Sequence, residues 1–197
     1  MNHQERLDKT FSTMLQNMAD ACSYSRNTTS NFTGGYRIQG LIIRDDDYWM
    51  GIALREAQKA ADRGEVPIGA LVVKDNMILG RGYNLREASR DPVAHAEIIA
   101  IRKAAKKEVS WRLTGATIYV TLEPCIMCMG AMLLARIDRV VFGCHDPKGG
   151  AAGSLYDLSD DHRLNHTIKV TPAVREAECA AILSDFFAAL RREKKKG

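Results

Sequence analysis

His95, Glu97, Cys125 and Cys128 are the residues of this 197-residue chain whose types and spacing could do chemistry together. Cys125 and Cys128 stand three apart in Pro124-Cys-Ile-Met-Cys128, so on a helix their thiols share one face. Two thiolates and one imidazole make a Cys2His donor set. A zinc ion held by three protein ligands keeps a fourth position open for water, which is the arrangement of a reacting site and not of a closed structural one. Glu97 lies two residues from His95, close enough to stand beside such a metal without binding it. A carboxylate there can take a proton from water and hand it on. Each part also has a plainer reading. A C-x-x-C pair by itself can be a redox pair, which calls for a thioredoxin-like strand-to-helix context, or half of a four-cysteine knuckle. A knuckle needs a second pair, but Cys22, Cys144 and Cys179 are scattered singly. The joint pattern, H-x-E and then P-C-x-x-C, favours one catalytic zinc per chain.

Length and charge bound what carries this site. The chain is long enough for one domain and a flanking extension. No apolar run approaches the roughly 18 residues of a membrane span, and the scattered cysteines do not form a disulfide framework. The cysteine pattern points to a reducing, cytoplasmic setting. The formal net charge is +4, and Arg191, Arg192, Lys194, Lys195 and Lys196 against Glu193 account for it. A basic end on a neutral body suits a polyanionic partner, although a frayed, solvated terminus would look the same.

The elements that must position the site follow in order. Residues 1–46 read as a low-complexity extension, with Ser23 to Gly35 rich in Ser, Thr, Asn and Gly and expected to be disordered. The domain proper is expected over 47–197. Trp49, Ile52, Ala53, Ala57, Ala60 and Ala61 make a helical stripe behind the capping aspartates 45–47, and Gly64 closes it. Ile68–Val73 and Met77–Tyr83 around Asp75-Asn76 predict a hairpin. Asp91-Pro92 predicts a helix start with His95 and Glu97 in the first turn. Thr117–Leu122 predicts a strand, Cys125–Ala135 a helix and Arg139–Gly143 a parallel strand. Ile168–Val170 and Val174–Leu190 predict a last strand and a closing helix. Gly149-Gly150 lies in a flexible turn without the P-loop pattern, so no nucleotide cofactor is expected. The sum is a three-layer α/β/α domain around a mixed sheet of about five strands. Both ligand groups fall at helix N-termini, whose partial positive charge favours thiolate over thiol.

Several longer segments carry a specific resemblance from about Tyr48 to Lys195. They are Glu65-Val-Pro-Ile-Gly-Ala70, Gly82-Tyr-Asn84, Asp91-Pro-Val-Ala-His-Ala-Glu97, Tyr119-Val-Thr-Leu-Glu-Pro-Cys125, Arg139-Val-Val-Phe-Gly143, Gly150-Ala-Ala-Gly-Ser-Leu155, Asn165-His166 and Leu183-Ser-Asp-Phe-Phe187. With them the chain resembles the bacterial tRNA-specific adenosine deaminases of the cytidine-deaminase-like fold. The resemblance implies hydrolysis of adenosine to inosine at the wobble position of a tRNA anticodon. His95, Cys125 and Cys128 would hold zinc, hydroxide would attack C6 of the flipped base, and Glu97 would shuttle the proton. It places Asn84, Val66, Pro67 and Asp146 in the nucleotide pocket, and Asn165, Phe187 and Arg191 against the anticodon stem-loop. It also implies a homodimer whose pocket is completed across the interface. From the residues alone, Val66-Pro67 could simply shape a loop, Asn84 could end a strand, and Phe187 could be core beside Leu183. Two other functions fit the zinc motif: a deaminase of free guanine or cytosine, and a zinc-stabilised RNA-binding module without activity. The second makes poor use of Glu97.

Overall fold

The computed structural model describes residues 35–38 and 41–195. The expectation of disorder over residues 1–34 lies outside the described residues. The last part of the expected extension is a hairpin instead. Strands β1 (Gly35–Ile38) and β2 (Leu41–Arg44) pair antiparallel, as the apolar Leu-Ile-Ile run with its two β-branched isoleucines permits. At its end the Arg44 guanidinium lies 5.0 Å from the Tyr48 ring centroid and 5.5 Å from that of Trp49.

Helix α1 (Asp46–Ala61) starts at the N-cap Asp45, whose side chain accepts from Tyr48 N. Such a cap contributes about 1 kcal/mol. Strands β3 (Gly69–Lys74) and β4 (Met77–Tyr83) form the expected hairpin. Its turn residues Asp75 and Asn76 both take positive φ, 50° and 60°, the geometry that matches the twist of a two-residue hairpin loop. A short helix α2 (Arg86–Ser89), not expected from the sequence, precedes α3 (Ala96–Glu108). The turn at Asp91-Pro92 lies before α3 and not inside it. His95 is therefore the N-cap of α3 and Glu97 falls in its first turn. Then come β5 (Thr117–Leu122), α4 (Ile126–Leu134), β6 (Arg139–Cys144), β7 (Lys169–Thr171) and α5 (Glu176–Lys194).

The five-stranded sheet has the order β4-β3-β5-β6-β7. Pairings β3–β4 and β3–β5 are antiparallel, and β5–β6 and β6–β7 parallel. Side chains alternate between two cores, as period two requires. Val72, Ile118, Val120, Val140 and Phe142 face α3 and α4 with Ala100, Ala104, Met129 and Met132. Leu71, Val73, Tyr119 and Val141 face α1 and α5 with Trp49, Met50, Ile52 and Cys179. The small residues Gly80 and Gly82 let α3 lie directly on β4, for a Cβ on either would overlap the carbonyls of Ala100 and Ala96. This seating fixes the start of α3, and with it His95 and Glu97, at the edge where β5 and β6 end.

Candidate active site

His95 and Cys125 are the N-caps of α3 and α4, with Glu97 and Cys128 one turn in. The His95 ring makes no capping bond to its own helix, and the Cys125 thiol turns to Cys128 and to His95. His95 Nδ1 lies 3.7 Å from Cys125 Sγ and 3.6 Å from Cys128 Sγ. All three donor atoms lie within 4.8 Å of one another and could hold a metal ion. The thiol pair shares its negative charge unequally. The Cys125 thiol is pulled down to about 4 by the Cys128 thiol and then by the His95 ring, against burial. Cys128 is pushed up by the same bond and by burial. The Cys125 thiolate in turn holds His95 above the ordinary imidazole range, while burial works the other way. Glu97 is buried within hydrogen-bond reach of Cys128, and burial pushes its carboxyl up.

Backbone bonds gather the other expected pocket residues around this group. Asn84 N donates to Ile68 O at 3.0 Å, which sets the buried Asn84 beside the half-buried Val66 and buried Pro67. Leu85 N donates to Ala94 O at 3.1 Å, next to His95. Asp146 follows β6, and its loop returns to Cys125. Gly150 forms an isolated antiparallel bridge with Cys125, and Ala151 N donates to Pro124 O at 2.8 Å.

Helix α5 climbs towards the same edge. Arg175 reaches Gly51 on α1, Cys179 packs on Gly143 and Leu183 joins the core that holds Cys144. At about 1.5 Å per residue, Phe187 and Arg191 stand about 12 and 18 Å further along the axis than Cys179. Both are exposed, and Phe187 stacks edge-on with Phe186 at 5.5 Å. Asn165 is not in this group. Its carbonyl and side-chain oxygens accept from Arg136 at 3.0 and 2.7 Å, just past the far end of α4 from Cys125.

Two buried carboxylates escaped the reading of the sequence. Glu65 accepts from Ala88 N at 2.7 Å, Glu87 N at 3.2 Å and Asn84 Nδ2 at 3.5 Å, so it both caps α2 and aims Asn84. Glu123 accepts from Asp146 N at 3.0 Å, Ala152 N at 3.0 Å, Ser154 N at 2.9 Å and the Ser154 hydroxyl. Both residues stand inside the motif segments quoted above. The one available signal was a carboxylate abutting a strongly apolar strand run or a helix end, where it must find backbone donors.

The profile of the MafB19-like deaminases matches residues 44–191. The tRNA-specific adenosine deaminase of Bacillus subtilis is 50% identical over 153 residues, which cover 78% of this chain and 95% of the relative. The chain belongs to the tRNA-specific adenosine deaminase family. The tRNA-specific adenosine deaminase of Haemophilus influenzae is likewise 50% identical, over 76% of this chain and 87% of its own length. A solved structure from studies of A-to-I editing by tRNA:A34 deaminases at the wobble position of transfer RNA is 42% identical. It covers 68% of this chain and 98% of its own, with a TM-score of 0.65. In a chain of this family, the cluster of His95, Cys125 and Cys128 with the buried Glu97 beside it is the candidate reacting centre.

Proposed function

We infer that this enzyme hydrolyses adenosine to inosine at the wobble position of a tRNA anticodon, releasing ammonia. One observation carries the reading: a buried carboxylate, Glu97, stands beside a His95, Cys125 and Cys128 donor set in a chain half identical to a tRNA-specific adenosine deaminase. The donor set suits zinc. Bonds of about 2.3 Å to sulfur and about 2.0–2.1 Å to nitrogen put neighbouring tetrahedral ligands about 3.6 Å apart. The separations of 3.7 and 3.6 Å between His95 Nδ1 and the two sulfurs match that spacing. When bound, zinc supplies a Lewis acid that makes water acidic near neutral pH.

The chain's own residues do the rest. Glu97 takes a proton from the attacking water and passes it to the purine ring nitrogen and then to the leaving amine. Its burial suits this work, because a carboxyl pushed up holds the proton between the two transfers. Water adds its oxygen at C6 and ammonia leaves, so the reaction needs no other reactant. Asn84, Val66, Pro67 and Asp146 surround the flipped base. Phe187 offers a stacking face and Arg191 a charge to the anticodon loop.

We further propose a homodimer that packs through α4. Ile126 and Leu134 on that helix are 50% and 76% exposed, and Gly130 between them opens on free space. These residues form one stripe. A two-fold axis across it would run the helices antiparallel. The partner's Asn165 would then lie at the zinc end of this protomer, which explains its distance from the site within one chain. A cytoplasmic setting goes with this reading, because tRNA is the substrate and the described cysteines are free thiols; no described helix is long and apolar enough to cross a membrane. Incubation of the pure protein with total tRNA, followed by sequencing, should reveal A-to-I changes at wobble positions. Robust release of ammonia from free guanine or cytosine, with none from an anticodon stem-loop, would overturn the reading.

A further inference from the structure

The segment from His145 to Ser154 has little regular structure, yet it is held on one side chain. Glu123 is 2% exposed. Its Oε1 accepts from the backbone of Ala152 at 3.0 Å and of Ser154 at 2.9 Å. Its Oε2 accepts from Asp146 N at 3.0 Å and from the Ser154 hydroxyl, and His145 Nδ1 lies 3.4 Å away. Glu123 N closes the other end of the arrangement by donating to Cys144 O at 2.8 Å. Gly150 rests against the carboxyl, and a Cβ there would overlap it. The anchor lies two residues before Cys125, while the loop carries Asp146 and bridges back to Cys125 through Gly150.

We propose that Glu123 is a positioning residue for substrate recognition: it seats the 145–154 loop in fixed register against the metal donors, and so sets Asp146 against the base to be deaminated. The proposal rests on the reading of Asp146 as a pocket residue. A carboxylate suits the task for a geometric reason. Both oxygens meet only donors, and a carboxylate accepts at both. A carboxamide in the same place would turn an NH2 group towards backbone N–H groups whichever way it flipped. The loop would lose one half of its seat while shape and volume stayed the same.

The test compares Glu123→Gln, Glu123→Asp and Gly150→Ala in the full-length, zinc-loaded enzyme. Gly150→Ala disturbs the same contact from the loop side and covers the case in which the Glu123 variants fail to fold. Zinc content, amide hydrogen exchange and steady-state kinetics on an anticodon stem-loop are measured for each. We expect zinc to stay bound in Glu123→Gln and exchange to rise at Asp146, Ala152 and Ser154. KM should increase about tenfold or more while kcat falls less, because a buried donor is left unpaired in the binding loop. Gly150→Ala should change KM and exchange in the same direction. Glu123→Asp, which keeps the charge but is shorter, should restore part of the KM. Unchanged loop exchange in Glu123→Gln would overturn the proposal. So would faster exchange with an unchanged KM, because the loop would then be seated but not used. Failure of the wild-type enzyme to act on the stem-loop would strike the functional reading instead, and that is seen before any variant is made.

Discussion

Near the start of β6, Asp46 accepts from Tyr119 Oη at 2.8 Å and from Arg139 Nη1 and Nη2 at 3.0 and 2.5 Å. Arg139 also donates to Thr171 Oγ1, so helix α1 is tied to β5, β6 and β7 through one carboxylate. At the other end of the same strands Glu97 is more deeply buried, yet no Lys or Arg among the described residues pairs with it. Burial and the Cys125 charge work against its carboxylate, while a backbone hydrogen bond, the His95 ring and a hydrogen bond with Cys128 favour it. Charges in the first group are fully matched, and the matching holds elements together. In the second they are left unbalanced, with the carboxyl pushed up and one thiol pulled down. Burial of a carboxyl without a matching cation costs stability, and such unbalanced groups concentrate at sites of chemistry.

Metal removal should break the contrast most severely. The donors come from α3 and α4, so chelation should abolish turnover and lower the melting temperature together. Glu97→Gln should then separate the two effects. Turnover on the stem-loop should fall by about 10²–10⁴-fold. Metal content should hold, and the melting temperature should stay level or rise, since a buried carboxyl with no cation is gone. A variant that keeps more than about a tenth of the wild-type rate would remove Glu97 from its role as proton carrier.

Asp46→Ala should do the reverse. It leaves the Tyr119 hydroxyl and the Arg139 guanidinium without their shared acceptor. The side chains of Arg139 and Asp46 are 32% and 29% exposed, so the loss should be smaller than for a fully buried pair, about 1–2 kcal/mol. Denaturant melts would show it, while kcat at 25 °C should be unaltered. A drop in kcat with no loss of stability would mean that the two ends are coupled through β5.

The same cluster gives a pH signature. Burial and the bond to Asp46 push the Tyr119 hydroxyl well above the ordinary tyrosine range. A group with a raised folded value contributes its full stability below its unfolded value, about 10, and loses it as the pH climbs above that. Wild-type protein should therefore lose more stability between pH 9 and about 11 than Tyr119→Phe does. Parallel melts of the two proteins across that window measure the difference, and equal slopes would contradict it.

How much of this was legible in the sequence follows from how local each determinant is. His95 with Glu97 and Cys125 with Cys128 are two short motifs that carry their chemistry in their residue types, so they could be matched although 30 residues separate His95 from Cys125. The strands Thr117–Leu122 and Arg139–Cys144 announce themselves by buried apolar runs. The roles of Asp46, Glu65 and Glu123 were not legible, because each depends on a partner far along the chain: Arg139 at a separation of 93, Ala88 at 23 and Ala152 at 29. A carboxylate in a sequence looks solvated until the fold shows which backbone donors surround it. The start of α3 was misread by a few residues because Asp91-Pro92 also suits a turn, and here Asp91 Oδ1 takes Val93 N at 2.9 Å. The hairpin of β1 and β2 was hidden by the polar segment before it.

The smallest effect should come from a third kind of charge, exposed and unmatched, at the end of α5. Arg191, Arg192 and Lys194 form the last turn and all stand in solvent. Neither fold nor chemistry depends on them, because the buried contact of this helix is at Cys179, several turns earlier. Truncation after Leu190 should therefore leave metal content, melting temperature and kcat as they are. Stem-loop affinity should weaken at low salt and converge on the wild-type value at high salt. Each lost phosphate contact should flatten the slope of log affinity against log salt by about 0.7–0.9. The comparison needs only two proteins, one stem-loop and a salt series. An unchanged slope would leave the activity standing and move the RNA-binding surface off α5. A fall in kcat at saturating stem-loop would show instead that the helix end takes part in seating the base.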